Sequence, residues 1–135
     1  MHSWQMFTFP KFKDQRGSLI PFEFDEKFPF KVKRTYLVTG KKNQIRGAHA
    51  HKIESEMFVA ISGSVKINLN NGTGDKEIIL NNPTQAIFVP VNCWHEFNNF
   101  SPDCVLLCFS STHYLPGESN YITDKSEFLA SFKNV

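Results

Sequence analysis

Long apolar runs, blocks of charge and paired cysteines are what this sequence has little of. No stretch reaches the ~18 apolar residues that a membrane span needs. Met1 to Pro10 has no basic region followed by an apolar run, so neither a transmembrane helix nor a signal peptide is expected. The formal charge is only +2 and the basic residues form no long block. Nucleic-acid or membrane-surface binding through bulk electrostatics is therefore not expected, whereas a small anionic ligand is compatible. The three cysteines (Cys93, Cys104, Cys108) are odd in number and lack paired-ligand spacing, which points to reduced thiols in a cytoplasmic protein. No repeat, low-complexity tract or interdomain linker divides the 135 residues, a length that suits one domain.

What is present is aromatic and turn-rich. Fourteen of the nineteen aromatic residues are phenylalanine, a share that favours a sheet-rich interior. Turn signals recur at short intervals: Asp14 to Gly17, Gly40 to Asn43, Ser62-Gly63, Asn70 to Asp75, Asn81 to Pro83, Pro90 to Asn92 and Ser101 to Asp103. Between them, strands are expected over Ser18–Phe24, Val32–Val38, Glu56–Ile61, Ser64–Leu69, Glu77–Leu80, Ala86–Val89 and Cys104–Phe109. Val65, Ile67 and Leu69 alternate with Lys66, Asn68 and Asn70, the period of a half-buried strand. Many short strands without intervening helices predict an all-β sandwich, barrel or jelly roll. One short helix is expected at 124–133, with Asp124 as N-cap, Glu127 three residues on, and Phe128, Leu129 and Phe132 as its apolar stripe, packing outside the β-domain.

The chemistry concentrates in Arg46-Gly47-Ala48-His49-Ala50-His51-Lys52, which holds two of only five histidines. On a strand, i and i+2 share a face, so the two imidazoles are expected about 7 Å apart. Two such groups on one surface suit proton transfer or metal capture.

The pattern His49-x-His51-x4-Glu56-x6-Gly63, followed by Pro90-x4-His95-x3-Asn99 with Trp94 beside the histidine, resembles the two motifs of the cupin superfamily, a small jelly-roll β-barrel. Asn92 stands where the second motif usually has glycine. A narrower resemblance covers nearly the whole chain. Asp14-Gln15-Arg16-Gly17-Ser18-Leu19, Lys33-Arg34-Thr35-Tyr36, Arg46 to Lys52, and Pro90-x3-Trp94-His95-Glu96 look like the sugar 3,4-ketoisomerases of the WxcM-like group. That resemblance implies action on dTDP-4-keto-6-deoxyglucose, moving the ketone from C4 to C3 without metal or other cofactor. It implies a homodimer of cupin barrels whose N-terminal strands, here residues 1–10, are exchanged. It also implies that His49 handles the carbon-bound proton and that His51, with Tyr36, shuttles the other.

Arg16, Arg34 and Arg46 are the candidates for the substrate's pyrophosphate, because guanidinium forks match phosphate oxygens. His95 is expected to line or orient the pocket. Glu56 departs from the group, in which glutamine is usual, and restores the ordinary cupin ligand. It is expected to hydrogen-bond a histidine ring, or to complete a metal set with His49, His51 and His95. The competing functions are thus a metal-dependent cupin such as a dioxygenase, and a non-catalytic cupin that binds a sugar nucleotide.

Overall fold

The computed structural model describes residues 3–133; the first two residues of the expected N-terminal arm lie outside them. Two five-stranded antiparallel sheets form a jelly roll. In the first, the order is β1 (Gln5–Thr8), β9 (Gln85–Val89), β6 (Glu56–Ser62), β11 (Val105–Ser110) and β4 (Arg34–Val38). In the second it is β12 (Tyr121–Ile122), β5 (Arg46–His51), β10 (Trp94–Asn98), β7 (Val65–Asn70) and β8 (Asp75–Leu80). A separate hairpin joins β2 (Phe12–Asp14) to β3 (Gly17–Leu19).

Strand alternation sets three layers. Phe58 and Ala60 of β6, Ile87 and Val89 of β9, Leu106 and Cys108 of β11, and Ile67 and Leu69 of β7 meet between the sheets, with Phe97 and Phe100. Met57, Val59, Ala86, Phe88 and Phe109 point from the first sheet to its outer face, where Phe7, Phe9, Phe22, Phe28 and Phe30 cover them. This outer layer is where much of the phenylalanine goes, and its rings meet mainly edge to face. On the outside of the second sheet, α1 (Lys125–Ala130) sets Phe128 against Trp94 and Ala50. Asp124 caps this helix by accepting from the Glu127 amide at 3.0 Å.

The structure departs from the sequence reading at several boundaries. The strand expected over Ser18–Phe24 ends at Leu19, because Pro21 and Pro29 break the ladder and the segment instead lays Phe22, Phe28 and Phe30 across a finished sheet. The helix is shorter than 124–133, giving way to a turn after Ala130. The N-terminal segment lies along the edge of β9, Gln5 opposite Phe88 and Thr8 opposite Gln85. All three cysteines are buried and unpaired.

Candidate active site

The interior faces of five strands bring their polar residues together at one end of the roll. A bulge aims the histidines. On β5, Gly47 (φ 78°) and Ala48 (φ 60°) are both left-handed, and the β5–β10 register shifts between His95 and Glu96. This shift sets His49 directly opposite His95. A β-carbon at Gly47 would sit 3.2 Å from the His95 carbonyl oxygen, so both the backbone twist and the close approach need glycine there.

A cavity of about 130 Å³ opens here, lined by Tyr36, Arg46, His49, Glu56 and His95, with Val38, Phe58 and Phe97 as its apolar wall. His51 is not among the lining residues; it lies behind His49 and packs against Tyr121. The two ring centroids are 4.6 Å apart, closer than the ~7 Å backbone repeat. Side chains lean together because both rings sit edge-on against Tyr121, each at 4.9 Å.

Glu56, itself buried, is the hub of the site. His51 Nδ1 lies 2.9 Å from Oε1, and His95 Nε2 is 3.8 Å from the same oxygen. The Tyr36 hydroxyl donates to Oε2, and the Cys108 thiol donates to that oxygen at 2.9 Å. His95 Nδ1 is 3.1 Å from the Cys93 carbonyl, so its Nδ1–H donates there.

Burial and these contacts set the charges. Burial, reinforced by His95 and His51, brings His49 down to about 3. Burial brings His95 to about 4 against the opposing pull of Glu56. For Glu56 burial acts upward, but the hydrogen bond from His51 outweighs it and holds the carboxyl at about 2. Burial and the Glu56 charge raise Tyr36 and Cys108, so both keep their protons. The result is a neutral His49 facing a cavity floored by one carboxylate.

The arginines divide. Arg46 lines the cavity and also an adjoining open groove with Lys41, Gln44 and Ile45. Arg34 instead pairs with buried Glu54 at 3.2 Å and stacks between Tyr36 and Tyr114. Arg16 sits on the β2–β3 hairpin, bound to Asp14 at 2.5 Å and almost fully exposed, and does not line the cavity. Sequence reasoning missed Glu54. It also accepts from Ser110 at 2.6 Å and Asn120 at 3.1 Å, closing a buried network around the start of β6. An acidic residue two before Glu56 was the available signal. Cys108 was read only as a thiol, although the alternation of β11 points it inward beside Tyr36.

Nitrogen and oxygen atoms of His49, His51, Glu56 and His95 lie within 4.8 Å of one another. With the His95 Nδ1–H held by a carbonyl, its Nε2 is free, and the set suits a divalent ion by donor type. No helix among the described residues is long and apolar enough to cross a membrane.

A family model described as WxcM-like, C-terminal (FdtA) matches residues 2–133. The TDP-4-oxo-6-deoxy-alpha-D-glucose-3,4-oxoisomerase of Aneurinibacillus thermoaerophilus is 35% identical over 125 residues, covering 92% of this chain and 88% of that protein. A 3,4-ketoisomerase from Helicobacter canadensis superposes with a TM-score of 0.88 at 39% identity, covering 98% of this chain and 99% of the other. A mutant of the 3,4-ketoisomerase QdtA from Thermoanaerobacterium thermosaccharolyticum, solved in complex with TDP-4-keto-6-deoxyglucose, gives 0.89 at 30% identity, covering 99% and 96%.

Proposed function

The chain belongs to the WxcM-like family and is a sugar-nucleotide 3,4-ketoisomerase, and from that premise we propose how its residues move the ketone of dTDP-4-keto-6-deoxyglucose from C4 to C3. The hydrogen on C3 is acidic because removing it gives an enolate conjugated with the C4 ketone. His49, neutral and lining the cavity, takes that proton. Protonation of O4 gives the enediol. Loss of the O3 proton and return of a proton to C4 complete the shift, with Tyr36 at the cavity, backed by His51 through Glu56, moving the proton between the oxygens. His95, opposite His49, orients the base. Arg46, shared by the cavity and its adjoining groove, holds the pyrophosphate, with Lys41 nearby.

The observation that carries this reading is the neutral His49 beside Tyr36 and Glu56 in one cavity. Incubation with dTDP-4-keto-6-deoxyglucose in deuterated water, followed by NMR, should show the carbonyl moving to C3 and deuterium entering at C4. Unchanged substrate, with no exchange at C3, would overturn it.

The product ketone suits an aminotransferase, which places the reaction in biosynthesis of an amino-deoxy sugar for lipopolysaccharide or another surface glycan. A cytoplasmic setting fits the three unpaired, buried thiols. The working form is a homodimer. Its support is the β2–β3 hairpin, which leaves Phe12 and Leu19 about 60% exposed, on a two-stranded ribbon of a kind that is marginal alone. Exchange of β1 would transfer its pairing with β9 to the partner without new chemistry. The convergence of four donors favours one second reading, a divalent ion held by His49, His51, Glu56 and His95. Such an ion would polarise a ligand oxygen, and metal analysis of the purified protein tests it.

A further inference from the structure

Tyr36 and His51 approach Glu56 from opposite sides, and both do so as donors. Tyr36 has one hydroxyl hydrogen, and it goes to Oε2. Cys108 donates to the same oxygen, and a histidine can reach a carboxylate oxygen only by presenting an N–H. Nδ1 of His51 is the nitrogen that faces Oε1. Its Nε2 is buried with no hydrogen-bond partner, as suits a nitrogen carrying a lone pair rather than a hydrogen. An unpaired buried N–H would be the costlier arrangement in a site this well sealed.

We propose that ionised Glu56 is a positioning residue that fixes the hydrogen-bond direction of both partners. It holds His51 as the Nδ1–H tautomer and turns the Tyr36 hydrogen away from the cavity, so that Tyr36 meets the sugar as an acceptor. This rests on the ketoisomerase reading for the identity of the ligand, but not for the tautomer. Its consequence is a substrate orientation. The C4 carbonyl can only accept, so it has nothing to gain from Tyr36 in the resting site. The 3-hydroxyl can donate, and it is the group that binds against Tyr36. Glutamine could not accept from both partners at separate oxygens. Its amide offers one oxygen and one NH2, so either Tyr36 or His51 would have to reverse.

Two measurements test the proposal. In ligand-free protein with 15N-labelled histidine, long-range 1H–15N correlation at neutral pH should find His51 with Nδ1 protonated and Nε2 bare. Glu56→Gln should shift that ring toward the other tautomer. A wild-type ring protonated at Nε2, alone or together with Nδ1, would overturn the proposal whatever the enzyme's activity. The second measurement uses unreactive ligands, dTDP-6-deoxyglucose and dTDP-3,6-dideoxyglucose, with binding read by calorimetry. Tyr36→Phe should weaken the first by up to about tenfold, the worth of one hydrogen bond, and leave the second within twofold. Equal effects on both ligands, or none on either, would overturn the orientation. If neither ligand binds the wild type, the substrate reading fails, and the tautomer result alone decides the role of Glu56.

Discussion

His49 and His95 stand directly opposite each other across the β5–β10 pair, ring centroids 4.8 Å apart and nearly perpendicular. His95 thereby helps burial keep His49 neutral, the state its proposed role as base requires.

Substitutions in this row should separate by chemistry. His49→Asn should keep the fold and nucleotide binding but abolish both isomerisation and C3 deuterium exchange, a loss of about 100- to 10,000-fold. His51→Asn and Tyr36→Phe should slow product formation more than exchange, since they act on the oxygen-bound proton. An active His49→Asn enzyme that still washes deuterium into C3 would place the base elsewhere.

Metal removal should leave turnover unchanged, because the proposed mechanism uses His49 as a free base. Dialysis against a chelator, followed by assay, checks this. Activity that vanishes and returns with one particular ion would instead establish the four-donor site as the working centre.

Arg46 and Arg34 should fail in different ways. Arg46→Ala should raise the KM for the nucleotide sugar at least tenfold, the order expected on losing a charged hydrogen bond, with little change in melting temperature. Arg34→Ala strands the buried Glu54 carboxylate, and should cost about 3 kcal/mol or more of stability by denaturant titration.

Acid should destabilise the fold early. His49 and His95 are held at about 3 and about 4 in the folded chain, against an unfolded value near 6.5. The unfolded state therefore binds more protons once the pH falls below that value, and stability drops. Glu56, held at about 2, contributes stability that is present above its unfolded value and is lost as the pH falls towards 2. Each fully titrating histidine adds a slope of about 1.4 kcal/mol per pH unit. Melting temperature should thus decline from pH 6.5 to 4 and less steeply below, as His95 and then His49 become protonated in the folded chain too. A flat profile down to pH 4 would contradict the burial of these rings.

Removing the N-terminus should expose an edge. A chain beginning at Lys11 loses every partner of β9 on that side, and light scattering should show the proposed dimer weakened or aggregated. A fully dimeric truncation would remove β1 from the interface.

Legibility in the sequence followed local pattern. The alternation of Val65, Ile67 and Leu69 gave β7, and the Asp124–Glu127 pair gave the start of the helix, because each signal lies within a few residues. The His49/His51 pair and Glu56 were legible as chemistry for the same reason. The segment from Leu19 to Lys33 was not, because its phenylalanines pack on a sheet built from distant strands, and no local period marks that. Arg34 shows the same limit. Nothing beside it announces Glu54 twenty residues away, so a guanidinium suited to phosphate and one committed to a buried carboxylate look alike in sequence.

Strand β6 shows Glu56 and Phe58 to the cavity and Met57 and Val59 to the phenylalanine layer outside. One ribbon therefore carries the floor of the chemistry on one side and the keel of the molecule on the other. A change of girth in the outer aromatics reaches Glu56 through a single thickness of backbone.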